Sequence, residues 1–389
     1  MFFEKGILSI SDDNIVFSHT SILEFYLAEY ARNNDEFLNL MIQKGNRIYF
    51  KNEICFYSGL VPDCKKLLDS MADTIIDAIM NNIDVIDKLN NIEIITDFKI
   101  EKNELIKKLE ENRPTQKEID DMSDSSQKDV TPDEFSKKKS PVLLETKKIS
   151  QDSETVEEED VQLEAENFYL LLSIYGSILK NAELLDNSDK VQHLENYMYG
   201  MNILLGEIFA LAEIIKKESS FEEFIKEEQE DGKELTQDDF EKSKELFFEM
   251  IKVSFPIALQ HVILENVGTP KLEVAIDELM EQKKDKPFEK FMLEFLKCDL
   301  NVGNFQSGLH RYIQEENSEG ILKLIFMKLL FYHRMRFFGT DKRRDKDIED
   351  LILEVQIKFN PKQAKLIKGN KTIARKELVK QIEKSQKSD

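Results

Sequence analysis

Residues 15–28 read IVFSHTSILEFYLA, and within them a β-prone run passes directly into a helical pattern. Residues 6–10 form a second β-prone run, and the turn-forming residues 11–14 separate the two. Two short apolar runs around such a turn are typical of a β-hairpin. From residue 22 to residue 30 the apolar side chains recur at i, i+4 spacing. This pattern predicts an amphipathic helix whose apolar face is ready to pack.

The start of this predicted helix carries a capping signal. Ser21 can accept a hydrogen bond from a backbone amide of the first turn, and Glu24, three residues later, can close a capping box. Large apolar side chains of strands and helices are usually buried. We therefore expect Phe17, Phe25 and Tyr26 to be core residues.

Composition predicts that most of the chain is helical. The 389 residues include only 13 glycines and 8 prolines, while 41% are apolar. Such low glycine and proline contents disfavour sandwiches, barrels and glycine-rich nucleotide-binding folds. We predict a mostly α protein in which a short N-terminal β-hairpin is followed by a helical bundle or an irregular helical repeat. Pro256 should kink or divide the helix that contains it. The predicted helices cover residues 35–44, 51–59, 62–89, 96–111, 163–185, 190–217, 238–265, 272–282, 288–297, 304–316, 321–338, 345–359 and 373–383.

A change of composition after residue 111 predicts the main domain boundary. From 112 to 160 apolar residues are scattered among Ser, Asp, Glu, Lys, Thr and Pro, and residues 152–166 are strongly acidic. Such a segment cannot bury enough apolar surface to offset the entropy lost on ordering. We predict two parts joined by a disordered acidic linker. The expected domains are 1–34 (end of a winged helix), 35–111 (helical), 112–160 (flexible charged linker) and 161–389 (helical bundle or repeat).

The charge of the chain limits its partners and its location. The net charge is −22 and the pI is about 4.9, so the surface would repel nucleic acid and anionic lipid in general. We see no signal-peptide pattern at residues 1–6 and no apolar run of membrane-spanning length. Cys55, Cys64 and Cys298 show no C-x-x-C spacing. We therefore expect reduced thiols in a cytoplasmic protein that binds neither membranes nor nucleic acid in general.

The sequence contains no recognisable catalytic pattern. Residues 267–271 and 368–372 lack the second glycine and the preceding strand of a phosphate-binding loop, so we expect turns between helices there. The five histidines are dispersed, which predicts no metal site. Carboxylate–lysine combinations at 97–99 and 354–358 are interpreted as surface charge. We predict that the chain is not an enzyme, with no catalytic residues and no cofactor of its own.

One stretch carries a family resemblance. Residues 17–28 resemble the signature that closes the winged-helix module of NACHT-type STAND ATPases, which reads Phe-x-His-x-Ser, an aromatic, Gln, Glu, two aromatics, x and Ala. Residues 6–8 look like the wing strand before this signature, and residues 52–60 are similar to the apolar helix ending in Gly-Leu that follows it. The resemblance covers about the first seventy residues. It departs from the family at Ile22 and Leu23, where an aromatic and a Gln are usual.

The resemblance implies a role for His19. In this family a P-loop domain precedes the winged helix, helical sensor regions follow it, and the signature histidine contacts the phosphates of bound ADP. This contact helps to hold a resting monomer until a trigger acts on the sensor region. An imidazole at a strand-to-helix junction can donate to a phosphate oxygen, helped by the helix N-terminus. The alternative is a histidine whose side chain is satisfied by the backbone of a turn.

These observations lead to one main hypothesis and one alternative. The chain is expected to be a non-catalytic regulatory and sensor region of a NACHT-like STAND ATPase, with antiviral defence in bacteria as the setting that family analogy implies. Since Met1 falls within the wing, ATP or ADP would bind only through an upstream domain that the sequence does not contain. The expected partners are a trigger protein or an upstream ATPase polypeptide. The alternative is a stand-alone helical scaffold for protein–protein interactions, in which the motif match is accidental.

Overall fold

The structure is a computed structural model of the chain. It describes residues 7–11, 14–82, 84, 89, 165–216, 237–300, 305–335 and 342–359. All of them belong to one compact unit, formed by Met1–Lys99 and Leu163–Lys376. The predicted linker at 112–160 and the predicted helices at 96–111 and 373–383 lie outside the described residues.

The N-terminal hairpin is confirmed. Strand β1 (Leu8–Ser11) pairs antiparallel with β2 (Asn14–Phe17), and Leu8 lies opposite Phe17. The amide of Ser18 donates to the carbonyl oxygen of Ile7 at 3.0 Å and so extends the pairing by one bond. The chain therefore leaves the hairpin directly in front of the first helix.

Between the hairpin and residue 82 the structure describes four helices: α1 (Thr20–Arg32), α2 (Asp35–Ile42), α3 (Lys51–Leu60) and α4 (Lys65–Asn81). α1 packs against α2 and α3, and α2 packs against α4. Asn34 caps α2, because its side-chain oxygen accepts from the amide of Phe37 at 3.0 Å. The helix predicted at 62–89 is shorter in the structure, where it begins at Lys65 and ends at Asn81.

A buried arginine holds the turn between α2 and α3 against α4. The guanidinium of Arg47 donates to the carbonyl oxygens of Ile42 and Ser70, each at 2.6 Å, and to the hydroxyl of Thr74 at 3.2 Å. Burial lowers the pKa of Arg47, while the charge of Asp73 opposes this effect. The side chain thus ties the backbone of the turn to the backbone of α4 by hydrogen bonds.

The part of the chain described after residue 164 contains eight α-helices, close to the predicted bounds. The helix Gln237–Val267 (α7) continues through Pro256, so the proline does not divide the helix, while the predicted alternative of a kink stays a prediction. A short 3₁₀ helix at Pro270–Leu272 precedes the helix Glu273–Gln282 (α8). The helices are α5 (Ala165–Asn181), α6 (Asn187–Ile215), α7 (Gln237–Val267), α8 (Glu273–Gln282), α9 (Pro287–Asp299), α10 (Phe305–Glu315), α11 (Glu319–Met335) and α12 (Lys342–Phe359).

The helices before residue 82 and after residue 165 share one core. α5 packs against α3 and α4 as well as against α6 and α7, and α6 packs against α4, α7 and α8. α9 then packs against α7, α8, α10 and α11, and α12 covers α10 and α11. We call the surface between α3–α4 and α5–α6 the seam. The mostly α prediction is confirmed, while the domain boundaries at 111 and 160 fall outside the described residues and stay predictions.

Two of the described helices are long and apolar enough to cross a membrane by length and composition alone. The windows lie in Asn187–Ile215 and Phe247–Val267, with mean hydropathies of 1.5 and 1.4. The sequence-based statement that no run reaches this length is therefore wrong. Half of the first window and 39% of the second are buried inside the protein, and core helices of soluble proteins pass the same test.

A glycine allows α5 to approach its neighbours closely. A Cβ atom at Gly176 would lie 2.8 Å from Cε2 of Tyr197 on α6 and 2.9 Å from Cβ of Asn266 on α7. Both distances are shorter than van der Waals contact between carbon atoms. The three helices can keep this spacing only without a side chain at position 176.

We predict that Gly176→Ala destabilises the protein. Alanine favours helices by up to about 1 kcal/mol over glycine, but overpacking a dense core typically costs about 1–3 kcal/mol. Urea unfolding followed by circular dichroism should show a lower midpoint. Gly45→Ala is the matched control, because a Cβ there meets nothing within 4 Å. Equal midpoints for the two variants would contradict this account of the helix spacing.

Candidate functional site

His19 lies between the hairpin and α1, at the N-cap position of the helix. Its backbone is extended, with φ −134° and ψ 135°, and its carbonyl oxygen accepts from the amide of Ile22 at 3.1 Å. The side chain is exposed and makes no capping hydrogen bond. The imidazole therefore does not serve to cap the helix that it precedes.

The predicted capping box is wrong. Because α1 begins at Thr20, Ser21 lies in the first turn instead of at the N-cap. The carboxylate of Glu24 accepts from the side-chain amide of Asn52 on α3, at 2.7 Å. The strand that ends at Phe17 fixes where the helix starts, and the contact with α3 uses the carboxylate that the capping box would need.

The N-terminus of α1 is suited to an anion. No acidic residue occurs in its first turn. The first amides of a helix have no intrahelical partner and carry partial positive charge. The exposed imidazole of His19 is next to these amides in the chain. Together they could present several hydrogen-bond donors to a phosphate group.

The aromatic residues of the motif are not core residues. Phe25 and Tyr26 are 40% and 45% exposed, and Phe17 is only partly buried. Their rings contact one another, with Tyr26 centred 6.0 Å from Phe17 and 5.9 Å from Phe25. The prediction of burial is wrong because α1 packs through the smaller residues Ala28 and Ala31.

The structure buries an ion pair where α9 and α11 meet. The Nζ atom of Lys328 lies 3.2 Å from Oδ2 of Asp299, and neither side chain has any exposed surface. The hydroxyl of Tyr332 donates to the other carboxylate oxygen. The Nζ atom also lies 5.0 Å from the ring centroid of Tyr332 and 5.8 Å from that of Phe331. His261 brings α7 to the cluster, with its ring 5.2 Å from Phe331.

Burial acts on the two charges in opposite directions. It raises the pKa of Asp299 and lowers the pKa of Lys328, because each charged form loses its hydration. The charge of each partner opposes the shift of the other. Burial also raises the pKa of the neighbouring Cys298 thiol. Since solvent does not reach the pair, we interpret it as holding α9 and α11 in register and not as a site for a substrate.

Sequence reasoning missed this pair. Lys328 lies within the predicted helix 321–338, whose pattern indicates no partner for it. A lysine within a predicted buried helix is itself a signal, because a buried ammonium group needs an acidic partner. The sequence offers no way to select Asp299 from the 76 acidic residues of the chain.

A second polar cluster lies at the seam. The hydroxyl of Tyr175 on α5 and Nδ1 of His193 on α6 are 2.6 Å apart, and both residues are buried. Nε2 of His193 lies 3.5 Å from Oδ1 of Asp69 on α4. Burial lowers the pKa of His193, and the charge of Asp69 opposes this effect. The cluster connects a helix before the predicted linker with two helices after it.

Further polar contacts cross the seam. The amide of Asn181 donates to the hydroxyl of Ser58 at 2.9 Å, and the backbone amide of Leu184 donates to the carbonyl oxygen of Pro62 at 3.3 Å. Lys65 forms an exposed ion pair with Asp189. The seam thus combines apolar packing with directional bonds that fix the position of α3 and α4 on α5 and α6.

The weak glycine and carboxylate motifs have structural roles where the structure describes them. Residues 267–271 form the predicted turn, in which a Cβ at Gly268 would lie 2.0 Å from the carbonyl oxygen of Leu264. Glu354 contacts His310 at 2.6 Å, and Lys358 donates to the carbonyl oxygens of Gln314 and Glu316 at the end of α10. A cation is favoured at that end of a helix. Residues 97–99 and 368–372 lie outside the described residues.

Within the described part of the chain no three His, Cys, Asp or Glu residues are placed to hold a metal ion. All three cysteines are free thiols. Burial, with a smaller effect of Asp63, raises the pKa of Cys64 to about 11. Such a thiol is mostly protonated near neutral pH and is a poor nucleophile.

Comparison with known proteins identifies no relative: the chain matches no protein-family model, no curated protein and no solved structure. The residues themselves therefore have to support any assignment of function.

We predict that Lys328→Met destabilises the protein by about 3–5 kcal/mol, because it leaves the carboxylate of Asp299 buried without its cation. The double variant Asp299→Asn/Lys328→Met should regain part of this loss, since Tyr332 can still donate to the asparagine oxygen. Urea unfolding measures both. Lys323→Met is the matched control on the same helix, because Lys323 pairs with the exposed Glu319 and such pairs contribute about 0–1 kcal/mol. The idea fails if the two single variants unfold at the same midpoint.

We also predict that His193 makes stability depend on pH. Its folded-state pKa is lowered by burial, so the unfolded chain binds more protons below about pH 6.5, and stability is lost as the pH falls through that value. His193→Asn should reduce the loss between about pH 7.5 and about pH 5.5, by at most about 1.4 kcal/mol per pH unit. His19→Asn, at an exposed histidine, is the control. Parallel pH profiles of wild type and His193→Asn would refute this role.

Proposed function

We propose that the chain is a non-catalytic regulatory and sensor region of a NACHT-like STAND ATPase. In this proposal a P-loop domain outside the sequence binds ATP or ADP, and His19 contacts a phosphate of that nucleotide. The setting is cytoplasmic signalling in bacterial antiviral defence, which follows from the family resemblance alone. The partners are the ATPase polypeptide and a trigger protein.

The position of His19 is the observation that carries this proposal. The resemblance requires a histidine at the junction of a hairpin strand and a helix, with its imidazole turned to another part of the assembly. His19 is at such a junction, is exposed, and makes no capping hydrogen bond. The adjacent helix N-terminus adds amide donors that favour an anion. These features support a phosphate contact that would be completed when the ATPase domain is present.

The seam supports a sensor role for the later helices. Direct contacts join α3 and α4 to α5 and α6, so a trigger that moves the later helices would act on the helices next to α1. Coupling of this kind needs packed elements whose arrangement both sites can bias. In the proposal, the trigger changes the packing at the seam and thereby weakens the contact of His19 with nucleotide.

The alternative is a helical scaffold that binds proteins without any nucleotide. It is favoured by the apolar surface that α1 leaves exposed, because exposed apolar surface marks sites of protein contact. The two functions share a need for partners and differ in their need for His19. A scaffold is indifferent to the identity of residue 19, whereas a phosphate contact is not.

The test is to isolate the tagged chain from the cells that naturally produce it, and to identify co-purifying polypeptides and bound nucleotide by mass spectrometry. We expect a P-loop polypeptide with ADP, and we expect His19→Ala to lower the ADP content while the polypeptide is retained. His310→Ala, at an exposed histidine on α10, should leave the ADP content unchanged. A complex without a P-loop polypeptide would favour the scaffold, and an ADP content that does not change in His19→Ala would contradict the phosphate contact of His19.

A further inference from the structure

The first four helices meet the later helices mainly at the seam. Among the described helices, the main contacts of α1–α4 with later ones are those of α3 and α4 with α5, and of α4 with α6. α1 and α2 pack within their own group, against α3 and α4. Two groups of helices that meet in this way can separate at the contact while each group keeps its own packing. The side chains buried at the seam therefore control whether the groups stay together.

His193 is buried at this contact, and its two ring nitrogens face two different helices. Nδ1 lies 2.6 Å from the hydroxyl of Tyr175 on α5, and Nε2 lies 3.5 Å from Oδ1 of Asp69 on α4, across the seam. The rings of His193 and Tyr175 also meet edge to face, with centroids 5.8 Å apart. Only 4% of the histidine surface and none of the tyrosine surface is exposed. Water therefore cannot surround this imidazole while the seam is closed.

The geometry fits the neutral imidazole. A carboxylate without a proton can only accept, so the nitrogen that faces Asp69 carries the hydrogen, and Nδ1 accepts from the hydroxyl of Tyr175. Burial raises the pKa of Tyr175, so this hydroxyl keeps its hydrogen. A second proton on the ring would have to enter at Nδ1, where the hydroxyl hydrogen already points. The hydroxyl would then have to turn and find another acceptor in buried surroundings.

Neighbouring charges offset only part of the cost of charging this ring. Asp69 on α4 and Asp189 on α6 favour the charged ring, whereas Lys65 on α4 opposes it. The side chain of Asp69 is 56% exposed, so water weakens its effect. Burial is the largest influence and lowers the pKa of His193.

The other helices that pack against α6 bring their polar groups to other positions along it. The pairs are Asn266 on α7 with Tyr197, Glu278 on α8 with Asn187, and Lys283 on α8 with Glu195. The charges that act on His193 are thus those of Asp69, Asp189 and Lys65.

We propose that His193 makes the seam a pH-sensitive contact, at which protonation of the ring separates α3–α4 from α5–α6 while each group of helices stays folded. Once the seam is open, water can solvate the ring, which then takes up its proton near about pH 6.5. The closed seam holds the ring neutral to lower pH. The open state therefore binds more protons below about pH 6.5, and the closed state loses stability as the pH falls. One such group increases the ratio of open to closed protein by at most about tenfold per pH unit.

This proposal goes beyond the loss of overall stability predicted for His193, because it places the effect of acid at one contact between two groups of helices. It concerns the seam itself and holds whether or not His19 contacts a nucleotide. Failure of the nucleotide experiment would leave it standing, and its own failure would leave the nucleotide contact standing.

Hydrogen exchange of the Leu184 backbone amide tests the proposal, because this amide donates across the seam to the carbonyl oxygen of Pro62 at 3.3 Å. Exchange is measured on the native chain by mass spectrometry with fragmentation and is corrected for the pH dependence of the chemical step. Between about pH 7.5 and about pH 5.5 we expect the opening constant of this amide to increase, by up to about tenfold. Amides of α11, whose main contacts are with α7, α9 and α12, should give a much smaller opening constant.

Two pairs of variants locate the effect. His193→Asn should remove most of the increase, whereas His261→Asn, at another histidine whose pKa burial lowers, should retain it. Asp69→Asn removes a charge that favours the protonated ring, so it should bring the increase closer to the tenfold limit. Asp77→Asn makes the same change at an exposed position of α4 and should match the wild type. The aspartate pair tests the proposal even if His193→Asn does not fold.

Three results would overturn the proposal. The first is an unchanged increase in folded His193→Asn. The second is an equal increase in Asp69→Asn and Asp77→Asn. The third is one shared opening constant for the Leu184 amide and the amides of α11, since the seam would then open only when the whole protein unfolds.

Discussion

The seam between α3–α4 and α5–α6 is the contact on which the rest of the structure depends. It joins helices that residues 82–164 separate in the sequence. At the seam α5 packs against α3 and α4, in addition to its contacts with α6 and α7. Without the seam, the apolar faces of α4 and α5 would both be open to water. On another side α5 packs closely against α6 and α7, where a Cβ atom at Gly176 would meet Tyr197 and Asn266.

Buried polar groups give this apolar core its specificity. Apolar packing alone allows helices to slide or rotate, because its energy depends mainly on area. His193 at the seam and Lys328 at the α9–α11 contact each have their partners only in one arrangement. A displaced helix would leave a buried polar group without a hydrogen bond, at a cost of about 1–3 kcal/mol or more. We infer that these two clusters select one register for the helices that they join.

The positions of the ionisable and aromatic side chains bear on the functional hypothesis. Asp299, Lys328 and His193, whose pKa values are shifted by burial, lie inside contacts between helices. At the N-terminal end, His19 precedes α1 with an exposed imidazole, and α1 itself carries exposed aromatic rings. An exposed imidazole beside a helix N-terminus and exposed aromatic rings are features through which a protein can bind a partner. Both the ATPase-linked hypothesis and the scaffold alternative place that binding at the same end.

The sequence by itself determined the elements of this protein, and tertiary structure decided which of their faces are buried. The hairpin and most helix bounds follow from local patterns, because turn residues and the spacing of apolar side chains act within a few positions of each other. The same patterns gave the wrong face for α1 and the wrong cap at Ser21, since the packing of Ala28 and the contact of Glu24 with α3 depend on residues far along the chain. Neither the partner of Lys328 nor the seam has a local signal. A periodic pattern shows that a face is apolar, but only the folded chain determines what covers that face or leaves it open.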